Sequence, residues 1–292
     1  MISADSRRGG FNGVALGRSQ VYGAVADAVC IQSPRHRCPS SWCDCGFYCF
    51  HALDDARTVK TRFEYLQDIA ADNLDATGHA RTDPFWIVRR TIIDVIEPIT
   101  WPGTVTAQRW CGALSTRWTN MRVRLTAEHE TNRFNPRPRP AGLIETEAFW
   151  INVNEQGVPS RLSDDAFAML SAMTDEHRLR WRSMNPEKAP DAADIDFPDR
   201  EHVLRITDFD PFKHLNNAAY LEAIEDELVE HPDLVDAPHR VVIEYLRPIV
   251  PGTRLVLRRV REGDRLTVWL LMPGTGDELV VAASVVVGPL PG

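Results

Sequence analysis

"YLEAIEDE" (220–227) in the second half of this chain echoes "YLQDIAAD" (65–72) in the first. Downstream of each, "RPIVPGT" (247–253) echoes "EPITWPGT" (97–104). Self-similarity at so wide a spacing points to two copies of one structural unit. Each copy is predicted to hold a short strand, one long helix (near 58–76 and 217–229) and then about four strands. The strands announce themselves by alternation. In "MRVRLT" (121–126), Met121, Val123 and Leu125 share one face while Arg122 and Arg124 share the other, the period-2 signature of a half-buried strand. "FWIVRRTIIDVIEP" (85–98), "TVTAQRWCGAL" (104–114) and "LIETEAFWINV" (143–153) complete the first copy. "HRVVIEYL" (239–246), "TRLVLRRV" (253–260), "RLTVWLLM" (265–272) and "ELVVAASVVV" (278–287) complete the second, with "EGD" (262–264) as a hairpin connection. Between the copies, "LSDDAFAMLSAMTDEHRLRWR" (162–182) has helical spacing, and "NPEKAPDAADIDFPD" (185–199) reads as a Pro- and Asp-rich linker.

The 292 residues suffice for one large or two ordinary domains, and 43% hydrophobic with 25% charged residues is typical of a soluble globular protein. A net charge of −8 argues against a general nucleic-acid binder, which needs a basic footprint. No apolar run approaches the roughly 20 residues that span a bilayer. Arg7 and Arg8 invite an export reading, but Arg18, Gln20 and Asp27 interrupt any apolar region behind them, so the expected location is cytoplasmic. Five of the six cysteines (Cys30, Cys38, Cys43, Cys45, Cys49) fall between residues 30 and 49, with His36 and His51 nearby. Their spacing matches no paired C-x2-C zinc pattern. Residues 1–46, rich in Gly, Ser and Arg, are expected to form a poorly ordered extension without a metal.

The chemistry concentrates in "DFDPFKHLNNAAYLEAI" (208–224). Asp210 stands ten residues before Tyr220, as Asp55 stands ten before Tyr65. His214, Asn216 and Asn217, however, correspond to Val59, Thr61 and Arg62, so only the second copy carries the polar cluster. A helix N-terminus offers unpaired N–H groups and a positive dipole end, suited to a developing oxyanion. Asn216 or Asn217 can cap that helix. Asp210 can act as general base or nucleophile, and His214 can position water or shuttle a proton. The same residues admit a plainer reading, Asp-Pro as a turn and Asn as a cap alone. Asp208 is expected to be structural, paired with a nearby Arg. Glu225, Asp226 and Glu227 are expected on a solvated helix face, and Trp86, Trp101, Trp110 and Trp118 in the core or along a ligand tunnel. Cys111 has no identifiable His partner, which disfavours a thiol nucleophile.

A helix wrapped by antiparallel strands, present twice, resembles the hotdog fold, and "DFDPFKHLNNAAYLEAIEDE" is similar to the motif of the acyl-acyl carrier protein thioesterases over residues 47–290. The resemblance implies an α+β tandem double hotdog: an N-terminal unit over 47–155, a linker with a helix over 156–199, and a C-terminal unit over 200–292. It implies hydrolysis of a fatty acyl thioester carried by acyl carrier protein or coenzyme A, a place in fatty acid biosynthesis, and no cofactor. Asp210, His214 and Asn216 would be catalytic, with Asn217, Tyr220 and Phe212 at the substrate. Two positions depart from the family pattern: its catalytic Asn is Phe212 here, and its Glu after the helix falls on Pro248. Glu244, four residues earlier, should share a face with Pro248 by strand parity. An enoyl thioester hydratase and a non-catalytic acyl-thioester binder remain alternatives, the latter favoured by Phe212 and Pro248. The two units are expected to pack as a pseudo-dimer within one chain, with a homodimer possible. The basic stretch "HRLRWR" (177–182) could dock an acidic carrier protein or be only a solvated surface.

Overall fold

Alternating side chains settle which way each strand faces. Along Trp118–His129, Met121, Val123, Leu125 and Ala127 are buried while Arg122, Arg124, Thr126 and Glu128 are exposed, because successive residues of a strand project to opposite faces. The computed structural model describes residues 48–51, 66, 69–70, 73–74 and 77–292, except 101–102, 134, 237 and 277. The extension over 1–46 with its cysteine cluster, Asp55, Trp101 and most residues of the helix expected near 58–76 lie outside the described residues.

In chain order the elements are β1 (Tyr48–His51), β2 (Trp86–Glu97), β3 (Gly103–Leu114), β4 (Trp118–His129), β5 (Ala141–Asn152) and α1 (Asp164–Ser171). Then follow β6 (Arg200–His202), α2 (Asn217–Leu228), β7 (His239–Tyr245), β8 (Leu255–Glu262), β9 (Arg265–Pro273) and β10 (Leu279–Pro289). Leu66, Ile69, Ala70, Asn73, Leu74 and Thr77 are helical, where the first copy was predicted to place its helix. All ten strands form one antiparallel sheet in the order β1-β3-β4-β5-β2-β7-β10-β9-β8-β6. The order is a palindrome of two equal halves, each with its first long strand at the centre and its short strand at the edge. This is the tandem double hotdog, α+β in class. Gly263, at φ 60, makes the tight β8–β9 turn that "EGD" announced.

The halves meet at β2–β7, with Arg90 opposite Glu244, Ile92 opposite Val242 and Asp94 opposite Arg240. "RTIID" (90–94) and "RVVIE" (240–244) are thus a third repeat, related by a two-fold axis near Ile92 and Val242. One apolar cluster crosses this seam. Ile93, Val95 and Ile144 of the first half and Val241, Ile243, Val268 and Val285 of the second pack with Ala219, Leu221 and Ile224 of α2.

The connection between the halves departs from expectation. Ser163 caps α1 by accepting from the Ala166 N–H, and Asp164 and Asp165 favour its positive end. The helix nevertheless stops at Ser171. The chain beyond extends because β3 offers it a competing backbone partner: the Leu114 N–H donates to Glu176 O and the Leu179 N–H to Leu114 O, at 2.9 and 3.1 Å. From there it crosses the seam. Arg90 Nη1 donates to Arg182 O at 2.7 Å, Asn185 Nδ2 to Val242 O and Ser284 O, and Trp269 Nε1 to Pro186 O. The Pro- and Asp-rich stretch is therefore laid down on the sheet.

Candidate active site

The stretch before α2 folds back on itself. The Asp210 N–H donates to His214 O at 2.8 Å and the Lys213 N–H to Asp210 O at 2.9 Å, while Phe209 and Leu215 form an isolated antiparallel bridge. Pro211, Phe212 and Lys213 make a three-residue loop. Pro at the first turn position fits its fixed φ, and Lys213 completes the loop in the left-handed region at φ 62. Asp210 Oδ1 accepts the His214 N–H at 2.9 Å. The turn-forming reading of Asp-Pro thus describes one carboxylate oxygen, and Oδ2 has no hydrogen-bond partner among the described residues.

The loop is joined to α2 and to the β7–β8 connection. The Asn216 N–H donates to Asp208 O at 2.7 Å and the Leu215 N–H to Ile249 O at 2.8 Å. Asn216 is the N-cap, with extended backbone and its side-chain oxygen accepting from the Ala218 N–H at 2.8 Å. The Ala219 N–H reaches Asn216 O. The Asn217 N–H, another of the four donors that a helix start leaves over, meets no acceptor among the described residues. Asn217 and Asn216 are half-buried.

Tyr220 is buried beneath this turn. Its ring meets Tyr245 edge-to-face at a centroid distance of 5.1 Å, and its phenol lies close to the Ile249 backbone. Burial pushes the phenol well above its ordinary pKa, with the nearby Asp210 carboxylate adding to the rise, so Tyr220 stays neutral at all working pH. Ile249 and Tyr245 did not stand out in the sequence. The signal for Ile249 was present in the repeated "PIVPGT", which marks the turn that braces the loop.

Asp210 is half-buried on an exposed loop. His214 is exposed, and Phe212 at the loop tip is 72% exposed; Val203, Ile206 and Val250 are exposed as well. Asp208 is structural but not through a guanidinium. It is buried and its Oδ2 accepts the Arg205 backbone N–H at 2.6 Å, closing its own turn. Glu244 does not reach the site. It sits on the face of β7 opposite Tyr245, fully buried, and accepts from Arg90, the Ser183 hydroxyl and the Met184 N–H. β7 ends at Tyr245, before Pro248, so strand parity does not carry to that position. Glu227 corrects the expected solvated helix face: it is fully buried, with Arg259 at 3.0 Å and Arg200 at 3.1 Å. That pairing moors the far end of α2 to β8 and β6.

Trp118 packs edge-to-face on Phe149 at 5.3 Å, Trp86 lines the apolar cluster under α1, and Trp110 is half-buried. Burial pushes the Cys111 thiol up to about 11, which removes it as a nucleophile. Among the described residues no three His, Cys, Asp or Glu side chains converge as a metal site, and no helix is long and apolar enough to cross a membrane.

The chain as a whole matches a known family. Residues 51–170 match the acyl-ACP thioesterase N-terminal domain and residues 193–279 its C-terminal domain. Two uncharacterized proteins from Mycobacterium tuberculosis strains (CDC 1551 / Oshkosh and H37Rv) are each 40% identical over 220 residues, 75% of this chain and 80% of theirs. Among solved structures, the 12:0-ACP thioesterase from Umbellularia californica superposes with a TM-score of 0.59 at 16% identity, covering 83% of this chain and 95% of that one. An acyl-ACP thioesterase from Bacteroides thetaiotaomicron gives 0.59 at 16%, covering 83% and 96%. At such identity the two structures speak for the fold alone. With both domain types matched in order, the chain belongs to the acyl-ACP thioesterase family.

Proposed function

We propose that this protein hydrolyses a fatty acyl thioester carried by acyl carrier protein or coenzyme A, with Asp210 as the catalytic carboxylate. The observation that carries the reading is that, on the turn leading into α2, Asp210 Oδ2 and the Asn217 N–H both lack a hydrogen-bond partner among the described residues. Asp210 is held by its other oxygen and by its backbone, so its position is set before substrate arrives.

In this mechanism Asp210 takes a proton from water as the oxygen attacks the thioester carbon. The carbonyl oxygen becomes an oxyanion, stabilised by the Asn217 N–H and the positive end of α2. Collapse re-forms the carbonyl, breaks the C–S bond and releases thiolate, which takes up the proton. The product acid then ionises, and exposed His214, at the end of the same loop, passes that second proton to solvent. Asn216 holds the helix start in register, and Tyr220 supports the loop from beneath through Ile249. Phe212 offers the acyl-bearing arm an apolar contact at the rim. A carboxylate as the single base suits a site whose loop tip is Phe212 and whose β7–β8 turn carries Pro248.

Thiol release from acyl-carrier substrates tests this. Asp210→Asn keeps shape and removes basicity, so kcat falls about 100-fold or more, the scale of general-base loss, with KM little changed. Asp55→Asn, at the matching position of the first copy, leaves kcat unchanged. Undiminished turnover by Asp210→Asn would sink the assignment.

A further inference from the structure

Beyond α1 the chain carries three cations that neutralise nothing. Arg178, Arg180 and Arg182 are exposed while Leu179 and Trp181 between them are half-buried, the alternation of an extended strand. The Trp181 ring lies 5.1 Å from that of Phe149, with the Arg90 guanidinium 5.0 Å and the Arg89 guanidinium 5.4 Å from its centre. The backbone is held on one side by the Leu179 bond to Leu114 and on the other by the Arg90 bond to Arg182 O. The three arginines therefore alternate with half-buried residues along a segment held at both ends, and their backbone positions repeat about every 7 Å if it is extended like a strand.

Several arginines on the strands are matched. Arg122, Arg124 and Arg240 pair with Glu147, Glu145 and Asp94. Among the described residues, Arg178, Arg180 and Arg182 have no ion pair or side-chain hydrogen bond. In a chain of net charge −8, such a row stands ready for an acidic partner. Its spacing is close to that of acidic side chains at i and i+4 on a helix, about 6 Å.

The row ends at the Arg90–Glu244 pair, on the face of β7 opposite Tyr245. Ser183 donates to Glu244 at 2.7 Å, and Glu244 is five residues from Ile249, whose carbonyl holds Leu215. Five residues span at most about 17 Å.

We propose that Arg178, Arg180 and Arg182 form the docking surface for an acidic carrier protein that presents the acyl thioester on a flexible arm. This rests on the thioesterase reading for its substrate but not for its test. The full-length chain is compared with the Arg178→Glu/Arg180→Glu/Arg182→Glu variant and with the Gln triple variant. Binding of fluorescently labelled holo acyl carrier protein is read by anisotropy, and thiol release is read on acyl-carrier protein and on a neutral acyl-N-acetylcysteamine thioester.

Charge reversal should raise the carrier's Kd and KM at least about 10-fold, the Gln variant less, with added NaCl abolishing the difference. Turnover of the neutral thioester should not change. Carrier binding by the wild type that is indifferent to charge reversal overturns the proposal, as does no binding at all or an equal loss on the neutral substrate. Charge-dependent binding without thiol release from any substrate leaves the docking surface standing and sinks the hydrolytic function instead.

Discussion

Two ion pairs bridge the seam between the halves, related by the internal two-fold but set in different surroundings. Arg240 and Asp94 meet through two bonds of 2.6 Å, with side chains 27% and 18% exposed. The hydrogen bonds to Asp94 raise Arg240 further above its ordinary pKa. Arg90 and Glu244 meet at a longer 3.3 Å but are 10% and 1% exposed. The difference is the connection between the halves, which crosses only the second pair and adds the Ser183 and Met184 donors to Glu244. Duplication placed the charges, and the crossing strand decided their energetic weight. A buried anion without its partners is costly, whereas a wetted pair contributes little.

The largest effect should come from breaking the covered pair. Glu244→Ala strands the Arg90 charge and three linker donors, so thermal unfolding should show a loss of about 3–5 kcal/mol. The double variant Arg90→Met/Glu244→Leu removes the stranded charge as well and should recover at least half of that loss. A double variant as unstable as Glu244→Ala would mean that the linker bonds, not the charge, dominate.

A middle-sized effect belongs to the helix start that distinguishes the second copy, where Asn216 stands against Thr61 of the first. Asn216→Ala leaves the Ala218 N–H without its cap and should cost about 1 kcal/mol, measured by urea unfolding. It should also lower kcat/KM. A lowered kcat/KM at unchanged stability would show Asn216 acting on substrate rather than as a cap.

The smallest effect belongs to the open pair. Asp94→Asn should cost less than about 1 kcal/mol, and that loss should shrink further in 1 M salt, where screening acts within about 3 Å. Glu244→Ala should lose comparable stability at low and high salt. Equal salt sensitivity of the two variants would erase the contrast between the pairs.

Much of this was legible in the chain itself. The doubled "YLQDI/YLEAI" and "PITWPGT/PIVPGT" announced two copies, and alternation in "MRVRLT" assigned the faces of β4. Asp210, His214 and the two Asn residues announced a loop running into a capped helix, because turn and cap preferences act over four or five residues. Glu227 was misjudged since its partners Arg259 and Arg200 lie about 30 residues away, beyond any local pattern. Residues 172–182 carried helical spacing, but the β3 backbone offered stronger pairing than an uncapped helix end.

By itself, then, the sequence determined what short-range physics can specify: strand faces, the helix start, the Asp-Pro turn and the two-fold repetition of all these. Only the tertiary structure decided which polar groups are buried and which remain unfilled. Glu244, which strand parity set on the face of Pro248, is used up by the linker; Asp210, read as catalytic or as a plain turn former, forms the turn through one oxygen, and its other has no partner among the described residues. The reason is that desolvation and pairing depend on segments brought together from distant parts of the chain, and a one-dimensional pattern holds no record of which segment will cross which face.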